Sequence, residues 1–159
     1  MFAWLARKQN RRTKALETYF SHFDAGELAY LKNITLTGLS PGSYGPEDPF
    51  VNVDLSTYIQ AEWMAAAGDI PNTSAAKARV RSKYRVKLAW DVSPHKIRDL
   101  NSYFEQVFPH RLEEPDLDHE AEERLGAHWI VINRIYFNPS NATTLPELEA
   151  IGEGEDWLP

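Results

Sequence analysis

Six basic side chains occupy every second position between residues 77 and 87. Alternate residues of a strand point to opposite faces of a sheet, so a strand here would line up all six cations above an apolar row. Such a face offers contacts to phosphates without obvious base-reading groups, because the aromatic residues fall on the other row. The pattern predicts a polyanion- or partner-binding face made of Lys77, Arg79, Arg81, Lys83, Arg85 and Lys87.

This row of cations needs a counter-charge. In water each neighbouring pair on the face repels by about 0.6 kcal/mol before screening by salt. Carboxylates elsewhere in the chain are one source of counter-charge, and the basic row would then be structural. An external acidic protein or a nucleic acid is the other source.

A second segment has the opposite charge. Residues 113–123 include seven acidic residues and neither Lys nor Arg. An acidic surface of this kind can steer and bind a basic protein. The alternative is a solvated helix or an internal partner for the basic row. The acidic residues predicted to bind a partner are Glu113, Glu114, Asp116, Asp118 and Glu120.

Polar residues also interrupt an apolar run between residues 128 and 137. Together they could line a pocket, and with His95 nearby this would be the site of a small enzyme. The alternative is a buried Asn satisfied by the backbone and an Arg paired with an acid. The predicted pocket residues are His128, Asn133, Arg134 and Tyr136.

No metal or cofactor motif accompanies these residues. His119 and Glu123 are four positions apart, but the zinc motif requires a second His where Glu123 stands. The chain has no Cys, which excludes disulfides and Cys-ligated metal sites. The glycines between residues 38 and 45 lack the phosphate-binding signatures. We therefore expect no cofactor and no metal, and the balance leans against an enzyme.

The elements that would position these residues suggest an α+β fold. We predict a small, mostly antiparallel sheet of three or four strands with helices on one face. The strands are a long one over 77–90, a central one over 128–137, and short ones over 34–37 and 50–53. The helices cover 13–23, 55–67 and 94–108, with a short acidic helix over 118–125 that Gly126 ends.

Local motifs support several of these helices. In the first, Leu16, Tyr19, Phe20 and Phe23 recur at the spacing of a single helix face. Asp24 followed by Glu27 resembles a capping box at the start of a second, short helix. Gly68 is placed to close the helix over 55–67.

Length and charge limit the organisation of the chain. Its 159 residues fit one domain over 1–140, with 1–12 as a basic arm that frays and 141–159 as an acidic, partly flexible tail. The net charge is −6, and no apolar run approaches the roughly 18 residues of a membrane span. We expect a cytoplasmic protein without a membrane span. A strand as long as 77–90 could pair across a homodimer.

Three functions fit these observations. The first is a non-enzymatic protein-interaction module with a bipolar charged surface, an inhibitor or immunity-type protein that neutralises a partner enzyme. The second is a polyanion- or nucleic-acid-binding protein that uses the basic strand 77–87. The third is a small enzyme with a pocket near His95, His128 and Arg134.

Overall fold

The described elements are all α-helices. A computed structural model describes residues 2–37, 49–91, 117–139 and 144–153. Within these ranges there is no strand, so the predicted α+β fold with an antiparallel sheet is wrong. The helices are α1 (Phe2–Phe20), α2 (Ala25–Thr37), α3 (Pro49–Ala66), α4 (Ser74–Asp91), α5 (His119–Phe137) and α6 (Leu145–Glu153).

The predicted long strand over 77–90 is part of helix α4. Its sequence is rich in Ala, Lys and Arg, which have high helix propensity. Thr73 caps the helix, because its Oγ1 accepts a hydrogen bond from the backbone N–H of Ala76 at 3.2 Å. The alternation of basic and apolar residues does not exclude a helix, because Lys77 and Arg81 share one helix face and find carboxylates there.

The predicted central strand over 128–137 is the second half of helix α5. Asp118 caps this helix by accepting from the backbone N–H of Ala121 at 2.8 Å. The helix continues through Gly126, where the sequence suggested an end. The apolar run reads equally well at helical spacing, because Leu125, Trp129 and Ile132 share the buried face.

The remaining predicted elements have different outcomes. The short strands over 34–37 and 50–53 are wrong, because these residues lie in α2 and α3. The helices over 13–23 and 55–67 overlap α1 and α3. Residues 2–12 belong to α1, and part of the predicted tail forms α6. The helix over 94–108 lies outside the described residues.

Helix α3 packs against α2, α4 and α1, while α5 packs against α1, α2 and α6. Helices α1 and α5 run antiparallel, since Tyr19 meets His128 at one level and Arg12 meets Tyr136 at another. Helix α6 contributes Leu148, which is fully buried in the core. Within the described ranges, no helix has both the length and the apolar character needed to cross a bilayer.

Candidate functional site

Helix α4 is attached to its neighbours through buried charges. The Arg81 guanidinium donates to Glu17 Oε1 of α1 at 3.0 Å, and Ser74 donates to the other Glu17 oxygen at 2.9 Å. The guanidinium also lies over the Tyr58 ring of α3, 5.0 Å from its centroid. Arg81 is therefore held between α1 and α3 by both charge and ring contact.

A second buried pair joins α3 to α4. Lys77 Nζ donates to Glu62 Oε1 at 2.8 Å, and both side chains are more than nine-tenths buried. Burial raises the pKa of Glu62, and the Lys77 ammonium opposes this rise. Each member of such a pair depends on the other, because an isolated buried charge is costly.

These contacts change the interpretation of the predicted basic face. Lys77 and Arg81 point inward to carboxylates of the same chain, which is the internal counter-charge that the sequence left open. Arg79 and Lys83 are exposed and have no partner among the described side chains. The side chains of Arg85 and Lys87 lie outside the described residues. The six cations thus do not form one continuous surface.

Lys32 is a buried group that the sequence interpretation missed. Its side chain is fully buried, and its Nζ donates to Gln60 Oε1. The same nitrogen lies over the Tyr84 ring, 5.3 Å from the ring centroid. Desolvation lowers the pKa of Lys32 to about 7, and burial raises the pKa of Tyr84. A signal was present, because Lys32 lies four positions after Leu28 on the apolar side of its helix.

The four predicted pocket residues all lie along α5. His128 and Arg134 are six positions apart, so they project about 120° apart around the helix. Asn133 Nδ2 donates to the backbone oxygen of Trp129 at 2.8 Å, but its Oδ1 is buried without a hydrogen-bond partner among the described residues, so the backbone satisfies this side chain only in part. Tyr136 donates to Asp54 Oδ2 at 2.9 Å. His95, the fifth residue of the proposed enzyme site, lies outside the described residues.

His128 instead belongs to a cluster with α1. Tyr19 OH and His128 Nδ1 share a hydrogen bond, and the Phe23 ring stands edge-on to the imidazole at 5.0 Å between centroids. Burial, helped by Arg124, lowers the pKa of His128, whereas Glu149 and Glu27 act in the opposite direction. The Tyr19 phenol has a raised pKa for the same reason, its burial.

The acidic residues are described only in part. Glu113, Glu114 and Asp116 lie outside the described residues. Asp118 and Glu120 are exposed at the start of α5. The exposed Glu122 and Glu123 join them, and we call this group of four carboxylates the acidic end. Negative charge here also favours the helix N-terminus.

The nearby basic side chains do not neutralise the acidic end. Arg124 is engaged by Glu27 of α2 at 2.8 Å. His119 lies 3.0 Å from Glu123, but both side chains are largely exposed. Among the described residues, no three His, Asp or Glu side chains are grouped to hold a metal ion.

Comparisons with known proteins give no information on the family or function of the chain. No protein-family model matches the chain, and no curated protein or solved structure is detectably similar to it.

Proposed function

We propose that the chain is a protein-interaction module that acts by binding rather than catalysis. Its acidic end binds a basic region of a partner protein, as an inhibitor or immunity-type protein does when it neutralises an enzyme. The observation that carries this proposal is the exposure of four carboxylates over the first turns of α5. Charges placed in this way accelerate encounter and select partners of opposite sign.

The placement of the other predicted residues favours this function over the two alternatives. A polyanion site on residues 77–87 would have to do without Lys77 and Arg81, which are buried against Glu62 and Glu17. An enzyme site would have to unite His128 with Arg134, which project in different directions from α5.

Affinity capture with matched variants tests the proposal. The immobilised chain is expected to retain, from an extract of its native cells, a stoichiometric partner with a basic surface. The triple variant Glu120→Gln/Glu122→Gln/Glu123→Gln should release this partner, because its docking carboxylates become neutral amides. A single Glu120→Gln change should weaken retention measurably.

Asp69→Asn is the charge-matched control for the single change. Asp69 is exposed in the turn after α3, and its neutralisation should leave retention unchanged. An acidic partner, or a basic one retained equally by the triple variant, would contradict the proposal. Circular dichroism of each variant checks that the helices are intact.

A further inference from the structure

Helix α1 has an exposed basic face that lies outside all the predicted sites. Arg7, Asn10, Arg11 and Lys14 follow the i, i+3, i+4, i+7 spacing of a single helix face. All four side chains are exposed, and none has a hydrogen-bond or ion-pair partner among the described residues. We call these four residues the basic face of α1.

The fold holds this face in a fixed orientation. The opposite side of α1 is packed into the core through Leu16, Tyr19 and Phe20. Arg12 Nε donates to the backbone oxygen of Tyr136 at 2.8 Å, and its guanidinium lies 3.9 Å from the centre of the Tyr136 ring. The basic face is therefore presented outward by a helix whose back is anchored.

The carboxylates of the acidic end do not cancel the charge of this face. Because α1 and α5 are antiparallel, Glu120 lies about 30 Å from Arg7 along the bundle, at 1.5 Å per residue. That distance exceeds the Debye length of about 8 Å at physiological salt. Glu17, which is the nearest carboxylate in the sequence, is occupied by Arg81 and Ser74.

We propose that the basic face of α1 binds duplex DNA, with the helix lying in the major groove. An α-helix about 10–12 Å in diameter matches a groove about 12 Å wide. Its three cations would contact phosphates, and the Asn10 amide has the donor and acceptor that a base edge requires.

The composition of the face favours DNA over a lipid surface. A helix that lies on a membrane inserts an apolar side into the lipid. The described apolar side of α1 is already occupied by the core, and the four residues of the basic face are all polar or charged. The deep, narrow major groove of duplex RNA does not admit side chains in the same way.

Fluorescence anisotropy with a labelled DNA duplex tests this proposal. Three phosphate contacts predict a log–log salt slope near −2.7, so affinity should fall about 40-fold between roughly 50 and 200 mM NaCl. The variant Arg11→Gln/Lys14→Gln should bind roughly tenfold more weakly in low salt, with a slope reduced by about 2.

The control variant is Arg79→Gln/Lys83→Gln. It also removes one Arg and one Lys, both exposed and without described partners, but from the outer side of α4. If the control variant binds the duplex with wild-type affinity, the proposal is supported. An equal loss of affinity in both variants would overturn it, because net charge or the exposed cations of α4 would then account for the binding.

Three other outcomes would overturn the proposal. They are the absence of duplex binding at low salt, tighter binding to an RNA duplex or single-stranded DNA, and binding to phosphatidylserine vesicles without binding to the duplex. Circular dichroism of both variants checks that a loss of binding is not a loss of fold.

Discussion

Helices α4 and α5 are joined to the rest of the molecule by different forces. In the described part of α4, the buried side chains are Lys77 and Arg81, and each meets a carboxylate of another helix. Helix α5 instead buries Leu125, Trp129 and Ile132 in the common core. Apolar burial stabilises in proportion to area, whereas a buried ion pair mainly penalises arrangements that leave one charge alone.

The largest effect is expected from breaking the Lys77–Glu62 pair. Lys77→Met leaves the Glu62 carboxylate buried without its partner, which should lower the free energy of unfolding by about 3–5 kcal/mol. The double variant Lys77→Met/Glu62→Leu should recover most of that loss, since neither charge is then buried. Urea unfolding of the three proteins measures both effects, and a double variant as unstable as the single one would contradict the ionic description.

In α5 the loss of stability caused by a substitution should depend on the side-chain volume that is removed rather than on charge. Leu125 is fully buried, and Leu125→Ala should cost about 2–5 kcal/mol through the cavity that it leaves. The loss should not depend on pH, whereas the loss caused by Lys77→Met should shrink at acidic pH, because Glu62, whose pKa burial already raises, is then protonated and leaves no unpaired charge. Unfolding curves for both variants at neutral and acidic pH would distinguish the two interfaces, and the same pH dependence in both would remove the contrast.

The charged side of the bundle should also make the stability depend on pH, whereas the apolar side should not. The buried Lys32 amine has a pKa of about 7 in the fold, but it retains its proton to about pH 10 when unfolded. Between these values the unfolded chain binds more protons, so stability rises with pH, by on the order of 2 kcal/mol from pH 7 to pH 9. Below pH 7 this contribution is constant.

Two variants isolate the Lys32 contribution. Lys32→Met should flatten the rise in stability between about pH 7 and pH 9, because the titrating amine is gone. Lys83→Met, which changes an exposed lysine of α4, should retain the wild-type rise. Thermal unfolding across this pH range gives the comparison, and the same slope in all three proteins would exclude Lys32 as its source.

The smallest effects are expected at two glycines. Gly126 lies within α5, and a Cβ there meets nothing within 4 Å, so Gly126→Ala should stabilise the chain by about 0.5–1 kcal/mol. Gly68 ends α3 with a φ of 83°, so Gly68→Ala should destabilise it by roughly 1 kcal/mol. Opposite shifts in melting temperature would bear out this distinction, and shifts of the same sign would contradict it.

The sequence was informative where local spacing and local contacts decide the structure. Leu16, Tyr19 and Phe20 are buried on one face of α1, as their spacing predicted. The capping box is present, because the Glu27 N–H donates to Asp24 Oδ1 at 2.8 Å and the Asp24 N–H donates to Glu27 Oε1 at 3.1 Å. Gly68 closes α3 in the left-handed conformation that favours glycine.

Prediction from the sequence failed where the contacts of a side chain depend on a residue far away in the sequence. The alternation in α4 resembles a strand until Glu17 and Glu62 are placed beside Arg81 and Lys77. Those carboxylates lie 64 and 15 positions away in the sequence, so no local window contains both pairs. The apolar run of α5 does not distinguish a strand from a helix, because a short run of this kind fits a buried strand or a buried helix equally well.

The basic face of α1 was missed for a related reason. The basic segment that contains these cations fits a frayed arm or the start of a helix equally well, and only a helix gives the four residues a common face. Which of them remain free depends on the tertiary fold, because Arg12 is taken up by Tyr136 while Arg11 is left exposed.

Helix α6 has nine residues, which is shorter than a helix that persists by itself in water. Its order therefore depends on keeping Leu148 seated in the core. Its amide hydrogens will exchange with deuterium through local detachment, faster than those in the middle of α5, whose exchange requires a larger opening. Their protection factors thus report the free energy with which this short helix docks on a bundle that stays folded.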